Sequence, residues 1–189
     1  EDRLQQVRPN RSGSRRLDRR LQVGVDVIRA LVIGQGLLGT ALVDALCEAG
    51  HDTIGTSRDP LGSHFYLDMT KTIPELPLVE TVFICAAVAS YRKCEGDQSV
   101  WVTNADAPVA ITRQCIERGM FPVFVSSDSI EFMSNAYTRM KSYAESCITP
   151  MGGAVVRPSR FGSENVGSLC HLMIRVGLDR KPGVYRWAG

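Results

Sequence analysis

A glycine-rich turn between a strand and a helix constrains this chain more than any other feature of its 189 residues. Apolar residues 30–33 run directly into the segment 34–39, whose sequence GQGLLG has the spacing G-x-G-x-x-G. Residues 38–49 then carry apolar side chains at helical spacing, and Gly50 is a helix-stop signal. A strand, this spacing and a helix in succession predict a βαβ unit that holds a dinucleotide pyrophosphate at the helix N-terminus.

The glycines of this turn have separate expected roles. Gly34 permits the tight turn, Gly36 lets the backbone approach the pyrophosphate, and Gly39 lets the helix pack closely on the strand. The binding turn also contains the intervening residues Gln35, Leu37 and Leu38. The alternative interpretation is a glycine-rich turn that holds no ligand.

Strand and helix patterns alternate along the rest of the chain. Strands are predicted at residues 53–56, 65–67, 81–87, 121–125 and 154–157. Helices are predicted at residues 98–118, with Pro108 inside, and at 136–147 and 168–176. The run 81–87 is apolar throughout, which is typical of a parallel strand buried on both faces. The fold class is therefore α/β, a Rossmann-like doubly wound parallel sheet.

We expect three regions in the chain. Residues 1–27 read as a disordered leader, and residues 1–29 hold eight arginines against four acidic residues. An organelle-targeting segment, a nucleic-acid arm and sequence upstream of the natural start are the alternatives for this leader. Residues 28–162 form the dinucleotide-binding Rossmann domain, and residues 163–189 begin a C-terminal substrate lobe that is largely missing, as in a truncated chain.

Composition argues against several classes of protein. The net charge of +2 gives no electrostatic case for nucleic-acid binding. No apolar run approaches the roughly 20 residues that span a bilayer. The six cysteines form no CxxC pair and accompany no histidine cluster, so we expect no metal site and reduced thiols in a cytoplasmic protein.

The segment after the second predicted strand bears on the choice of cofactor. A basic residue there accommodates the 2′-phosphate of NADP, whereas an acidic one bonds the 2′-hydroxyl of NAD. Ser57 and Arg58 occupy this position, which favours NADP over NAD. Asp68, followed by Met69, is a candidate partner for the adenine amine or, alternatively, a helix N-cap.

A tyrosine and a lysine form the candidate catalytic pair. Tyr137 and Lys141 are four residues apart on a predicted helix and therefore share one face. An ammonium beside a phenol should lower the pKa of the phenol, which suits Tyr137 to acid–base chemistry. Ser126 and Ser127 end a predicted strand, where a hydroxyl could orient the reacting oxygen. The alternative is an amphipathic helix with a surface tyrosine and lysine.

Further motifs occur in a fixed order along residues 30–176. They are Cys85-Ala86-Ala87, Cys94-Glu95, Asn104-Ala-Asp-Ala-Pro108, Ser126-Ser127-Asp128, Tyr137-x-x-x-Lys141 with Glu145, and Arg157-Pro158-Ser159. Together with the glycine turn, they make the chain resemble the extended short-chain dehydrogenase/reductases of the NAD-dependent epimerase/dehydratase superfamily. The resemblance is strongest to the dTDP-4-dehydrorhamnose reductase branch.

The resemblance implies a function and a set of site residues. It implies an NAD(P)-dependent oxidoreductase that acts on a nucleotide-activated sugar as its small-molecule substrate, of the 4-keto sugar reductase type with hydride from NADPH. It is compatible with a homodimer. Ser127, Tyr137 and Lys141 would be catalytic, with Asn104 supporting proton relay. Cofactor contacts would come from Cys85, Ala86, Ala87, Lys141, Arg157, Pro158 and Ser159.

Two other functions remain open at this point, and three departures from the family pattern bear on them. The alternatives are a sugar-nucleotide epimerase or dehydratase with bound NAD, and a non-catalytic NADP(H)-binding regulatory protein. The glycine turn is one residue shorter than the usual G-x-x-G-x-x-G. Only nine residues separate Ser127 from Tyr137, and the chain stops at Gly189, before a substrate lobe is complete, so an isolated fragment could be inactive.

Overall fold

The computed structural model describes residues 27–58, 65–97 and 99–189, so all but the last residue of the expected leader lies outside the described residues. The strands are β1 (Arg29–Ile33), β2 (Asp52–Ser57), β3 (Phe65–Tyr66), β4 (Thr81–Ile84), β5 (Phe121–Val125), β6 (Ala154–Pro158) and β7 (Gly183–Trp187). The α-helices are α1 (Leu37–Glu48), α2 (Tyr91–Gly96), α3 (Ala107–Glu117), α4 (Ala136–Ile148) and α5 (Val166–Asp179). A π-helical turn (Val102–Asp106) precedes α3, and a 3₁₀ turn (Asp128–Glu131) follows β5.

The described strands form one parallel sheet in the order β3-β2-β1-β4-β5-β6-β7. The order reverses between β1 and β4, because the chain first builds outward from β1 to β3 and then returns to the other side of β1. In doubly wound sheets, ligands bind at the carboxyl ends of the strands beside such a reversal. The predicted Rossmann-like parallel sheet is confirmed.

Apolar side chains of alternate strand residues face two separate helical layers. On one face, β1 and β4–β6 pack against α1 and α5 through residues that include Val32, Leu42, Phe83, Leu169 and Met173. On the other face, the same strands pack against α3 and α4 through Leu31, Ile84, Ile111, Phe124 and Ile148. Strands buried on both faces explain why their sequences are continuously apolar.

The helix predicted at residues 98–118 contains a π-helical turn. Pro108 lacks a backbone N–H, and in a regular helix its ring would clash with the carbonyl of Asn104. The π-helical turn at Val102–Asp106 widens the helix immediately before this proline and places it in the first turn of α3. Such turns are frequent at functional sites.

The C-terminal segment departs from the expected domain division. Residues of α5 pack in the same core as α1, and all five residues of β7 are in register with β6. Residues 166–187 therefore extend the Rossmann sheet, which differs from the boundary expected after residue 162. No helix in the described ranges is long and apolar enough to cross a membrane.

Candidate nucleotide-binding and catalytic site

A cleft of about 750 Å³ lies at the carboxyl ends of β1, β2 and β4, beside the reversal of strand order. This volume is in the range of small-molecule and cofactor sites. Ten of the residues predicted to bind cofactor line this cleft: Gly34, Gln35, Gly36, Ser57, Arg58, Asp68, Met69, Cys85, Ala86 and Ala87. The structure therefore brings four segments that are separated in the sequence, 34–36, 57–58, 68–69 and 85–87, to one cleft.

The glycines of the turn have distinct steric environments. Gly34 has φ +99°, and a Cβ at this position would lie 2.6 Å from the backbone N and Cα of Ala86. A Cβ on Gly39 would overlap the carbonyl oxygen of Gly34. A Cβ on Gly36 would meet nothing within 4 Å. The outer glycines are required by the packing of the protein, whereas the middle one leaves open space in the cleft for a ligand.

The first turn of α1 has unpaired donors beside that open space. Gly36 is the N-cap and provides no side-chain hydrogen bond, and the first intrahelical bond is from Thr40 N to Gly36 O at 2.9 Å. Within the described part of the chain, the N–H groups of Leu37, Leu38 and Gly39 therefore have no acceptor. These donors and the positive end of the helix dipole fit the pyrophosphate of a dinucleotide.

Polar groups at the far end of the cleft bear on nucleoside recognition. Asp68 accepts hydrogen bonds from the backbone N (3.0 Å) and the hydroxyl (2.7 Å) of Thr70, which lower the pKa of Asp68. Residues 69–71 form a turn rather than the helix that one alternative expected. Arg58 is exposed, and its charge also contributes to the lowered pKa of Asp68. A cation and a carboxylate thus share this end of the cleft.

Several cleft residues were not identified from the sequence. They are Ile33, Thr56, Leu67, Thr70, Val88, Lys93, Asp97, Ser99, Val100 and Thr103. The hydroxyl of Thr56 accepts a hydrogen bond from Gly34 N at 3.1 Å and so links the ends of β1 and β2. Some of these cleft residues follow strand ends and could have been identified from that position. The cleft residues in α2 and the π-helical turn reach the cleft only through tertiary packing.

Asn104 lies in the π-helical turn and is fully buried. Its Oδ1 accepts from Val88 N at 2.8 Å, and its Nδ2 donates to Val88 O at 3.0 Å. This reciprocal pair fixes the loop after β4, where Ala86 and Ala87 line the cleft. Both ends of the carboxamide are thus engaged with the backbone of this loop, and the support of proton relay that the resemblance implied for Asn104 stays a prediction.

Tyr137 is buried at the N-terminal end of α4, with 8% of its surface exposed. Its ring lies 5.4 Å from that of Tyr91 in α2, and it shares an apolar cluster with Val100, a residue of the cleft wall. Burial raises the pKa of Tyr137 to about 12, and Tyr91 and Cys94 add to the effect. The expectation of a lowered phenol pKa is therefore not met in this structure, because desolvation dominates.

Lys141 is buried beneath the end of β5, with 2% of its surface exposed. Its Nζ donates to the carbonyl of Val125 at 2.8 Å and lies 4.5 Å from the ring centre of Phe124. The ring centre of Tyr137 is 5.9 Å from the same atom, on the ring face rather than at the hydroxyl. Burial lowers the pKa of Lys141 to about 8, so the lysine is still mostly charged at neutral pH.

The two serines after β5 differ in their hydrogen bonding. Ser127 Oγ accepts from Ser129 N at 3.2 Å and lies 2.8 Å from Ser129 Oγ, so it caps the 3₁₀ turn. Ser126 is buried, and its Oγ has no hydrogen-bond partner in the described structure. The sequence predicted both serines at the end of this strand. Of the two, only Ser126 has a hydroxyl without a hydrogen-bond partner in the described structure.

Residues 157–159, which the resemblance places over the nicotinamide, lie at the end of β6. Arg157 forms ion pairs with Glu145 and Glu131. Ser159 N donates to the carbonyl of Trp187, and Pro158 is buried at the end of β6. None of residues 157–159 lines the described cleft, which extends along β1, β2 and β4 rather than β6. The sequence motif Arg157-Pro158-Ser159 did not predict these ion pairs or the hydrogen bond to Trp187.

Solved structures with the same fold include dTDP-4-dehydrorhamnose reductases. A hypothetical dTDP-4-dehydrorhamnose reductase from Sulfolobus tokodaii is 19% identical over 85% of this chain and 76% of that one, with a TM-score of 0.70. A dTDP-4-dehydrorhamnose reductase from Bacillus anthracis, in complex with NADP, is 16% identical over 88% and 76%, also at 0.70. The Bordetella bronchiseptica enzyme WbmH, in complex with NAD+, is 14% identical over 86% and 76%, at 0.65.

The sequence itself matches a family model over most of the region that builds this cleft. No functionally curated protein matches the chain. The model of the NAD dependent epimerase/dehydratase family matches residues 30–150, which include the glycine turn, Asn104, Tyr137 and Lys141. The chain therefore belongs to the NAD-dependent epimerase/dehydratase family.

Proposed function

We propose that this protein is a reductase that binds NADP(H) in the cleft and reduces the keto group of a nucleotide-activated sugar. The observation that carries the proposal is the cradle at Gly36, where open space meets unpaired backbone donors. Val100 joins the cleft wall to the cluster that contains Tyr137. Tyr137 and Lys141 do not themselves line the cleft, and their contact with the nicotinamide end of the cofactor is part of the proposal.

NADP(H) is the cofactor that the cleft residues favour. The unpaired N–H groups of the first α1 turn suit the pyrophosphate, and Arg58 suits a 2′-phosphate at the end of β2. Lys93 adds a second cation to the cleft wall. Among the structural neighbours, the Bacillus anthracis reductase is in complex with NADP and WbmH with NAD+, so the neighbours allow either nucleotide.

Tyr137 and Lys141 have protonation states that suit reduction. A phenol with a pKa of about 12 holds its proton at neutral pH and can donate it to a carbonyl oxygen. Lys141 has three N–H donors, of which Val125 O receives one, so the others suit ribose hydroxyls. When bound, NADPH supplies the hydride. The proposal also includes the sugar substrate and the hydroxyl of Ser127 as the group that orients it. It further includes contacts of the cofactor with Arg157, Pro158 and Ser159.

A cofactor titration tests the binding half of the proposal. We expect NADPH to bind at least tenfold more tightly than NADH, a difference of about 1.4 kcal/mol, as measured by nucleotide fluorescence. Arg58→Ala should remove this preference and leave NADH affinity unchanged. Arg175→Ala, which changes an exposed arginine of α5, is the matched control. Tighter binding of NADH by the wild type would contradict the role of Arg58.

A tyrosine pair tests the catalytic half. Tyr137→Phe should abolish NADPH oxidation with 4-keto nucleotide sugars while nucleotide affinity is kept, because it removes only the proton donor. Tyr143→Phe, on the same helix but 43% exposed, should retain full activity.

The burial of Tyr137 against Tyr91 favours one alternative, a non-catalytic NADP(H)-binding regulatory protein. Such a protein would bind NADPH but oxidise none of it with a panel of 4-keto nucleotide sugars. In that case Tyr137→Phe would change neither nucleotide affinity nor any measured turnover. Equal turnover by the wild type and Tyr137→Phe would likewise exclude Tyr137 as the acid.

A further inference from the structure

Four charged side chains link α4, β6, the 3₁₀ turn and β7. Arg157 Nε lies 3.1 Å from both carboxylate oxygens of Glu145, and Arg157 Nη2 lies 2.5 Å from Glu145 Oε2. Arg157 Nη1 donates to Glu131 Oε1 at 2.7 Å, and Arg186 Nε donates to the same oxygen at 3.0 Å. The bidentate pair between Arg157 and Glu145 therefore fixes α4 against β6.

The inner and outer parts of this network differ in exposure. The side chains of Glu145 and Arg157 are 6% and 18% exposed, whereas those of Glu131 and Arg186 are 39% and 69% exposed. An exposed ion pair contributes little to stability, but a buried charge that loses its partner is costly. Arg157 thus holds the Glu145 carboxylate in one place within the protein.

Glu145 lies one helical turn after Lys141 on α4, and both residues are buried. The other ionisable groups that act on the ammonium are Cys85 after β4 and Cys94 in α2. Burial raises the pKa of Cys85 to about 12 and raises that of Cys94 above its ordinary value, so both thiols are neutral near pH 7. Tyr137, whose ring faces the ammonium, also keeps its proton.

We infer that Glu145 is a positioning residue: held by Arg157, it keeps a negative charge one helical turn from Lys141 and sets the pH range over which that lysine stays protonated. The neutral state of the thiols and of the phenol leaves Glu145 as the anion among the described groups that act on Lys141. The inference rests on the proposed function for its effect on turnover. The titration of Lys141 can nevertheless be measured without any substrate.

The test is a titration of Lys141 by NMR in protein labelled at lysine Cε. The chain has four lysines, and a Lys141→Met spectrum identifies the resonance. In Glu145→Gln, Lys141 should lose its proton at a pH lower by about one unit or more, because an adjacent opposite charge is removed. The matched control is Glu131→Gln, which breaks the outer ion pair of the same arginine and should leave the Lys141 titration unchanged.

A second variant covers the case in which Glu145→Gln does not fold. Arg157→Gln removes the cation that competes for Glu145, so the Lys141 titration should move to higher pH, the opposite direction. An unchanged titration in Glu145→Gln, or in Arg157→Gln where only that variant folds, overturns the inference. A purely structural Glu145 would lower the melting temperature without moving the Lys141 titration.

Turnover provides an independent readout. If the proposed reductase activity holds, the alkaline limb of the kcat profile of Glu145→Gln should move to lower pH by the same amount as the Lys141 titration. Glu131→Gln should keep the wild-type profile. Absence of turnover in every variant would count against the proposed function alone, whereas an unmoved titration in an active enzyme would count against the role of Glu145.

Discussion

Replacing Lys141 by methionine tests how the protein tolerates a buried ammonium. Methionine has a similar length and no charge, and the site is already lined by the ring of Phe124. The pKa of Lys141 falls from 10.5 to about 8 on folding, chiefly because burial removes the ammonium from water. The corresponding free energy is about 3 kcal/mol, at 1.36 kcal/mol for each pH unit.

The sign of the pH dependence follows from proton binding. Below about pH 8, the lysine is charged in both the folded and the unfolded chain, so the folded state carries the full cost of desolvation. Between about pH 8 and 10.5 the unfolded chain binds more protons than the folded one, so this lysine makes the free energy of unfolding rise with pH. In Lys141→Met that contribution is absent.

Urea denaturation of both proteins at several pH values between 7 and 10.5 provides the measurement. The free energy of unfolding of wild type minus that of Lys141→Met should increase by about 3 kcal/mol across this range. Other groups titrate there too, but they are common to both proteins and cancel in the difference. The lost hydrogen bond to Val125 adds an offset that depends little on pH. A difference constant within about 0.5 kcal/mol would refute the lowered pKa.

Four other substitutions test the cleft and the elements beside it. Gly34→Ala should lower the free energy of unfolding by at least about 2 kcal/mol, because Gly34 has a positive φ and packs closely on Ala86. Gly36→Ala should keep the melting temperature of the wild type and weaken NADPH binding, because a Cβ there enters open space. Equal effects of the two substitutions on stability and on binding would contradict the distinct roles of the glycines. Asn104→Ala should cost about 2–3 kcal/mol and speed amide exchange near Val88, and unchanged exchange would argue against the anchor. Ser126→Ala should leave the free energy of unfolding unchanged or raise it by about 1 kcal/mol, while a clear loss would reveal a hydrogen bond.

Local patterns predicted much of the fold, including the glycine turn that opens α1. The apolar run 81–87 and the turn 34–39 carry their signals in adjacent residues, so the order of the strands along the chain and the glycine turn could be predicted directly. The π-helical turn could not be predicted, although Pro108 marked a disturbance in the helix. The cleft residues of α2 were also missed, because their position depends on packing against α4 rather than on periodicity.

Tyr137, Lys141 and Arg157 show how far residue spacing in the sequence can predict the candidate site. The spacing of Tyr137 and Lys141 fixed their common helical face, but not the desolvation that raises the pKa of the phenol. Arg157 was expected at the nicotinamide, and in the structure its guanidinium is held by Glu145 and Glu131. A side chain of that length can reach several partners, and only the packed elements decide which one is present.

The sequence by itself determined that this chain alternates strands and helices and that a glycine turn opens the first helix, because hydrogen bonding within an element and backbone sterics act between near neighbours. The tertiary structure decided that α5 and β7 continue the same sheet, that Asn104 anchors the loop at Val88, and which groups lose contact with water. Burial and ion pairing depend on residues brought together from distant positions, so they set the charges of the site only once the sheet and its two helical layers have formed.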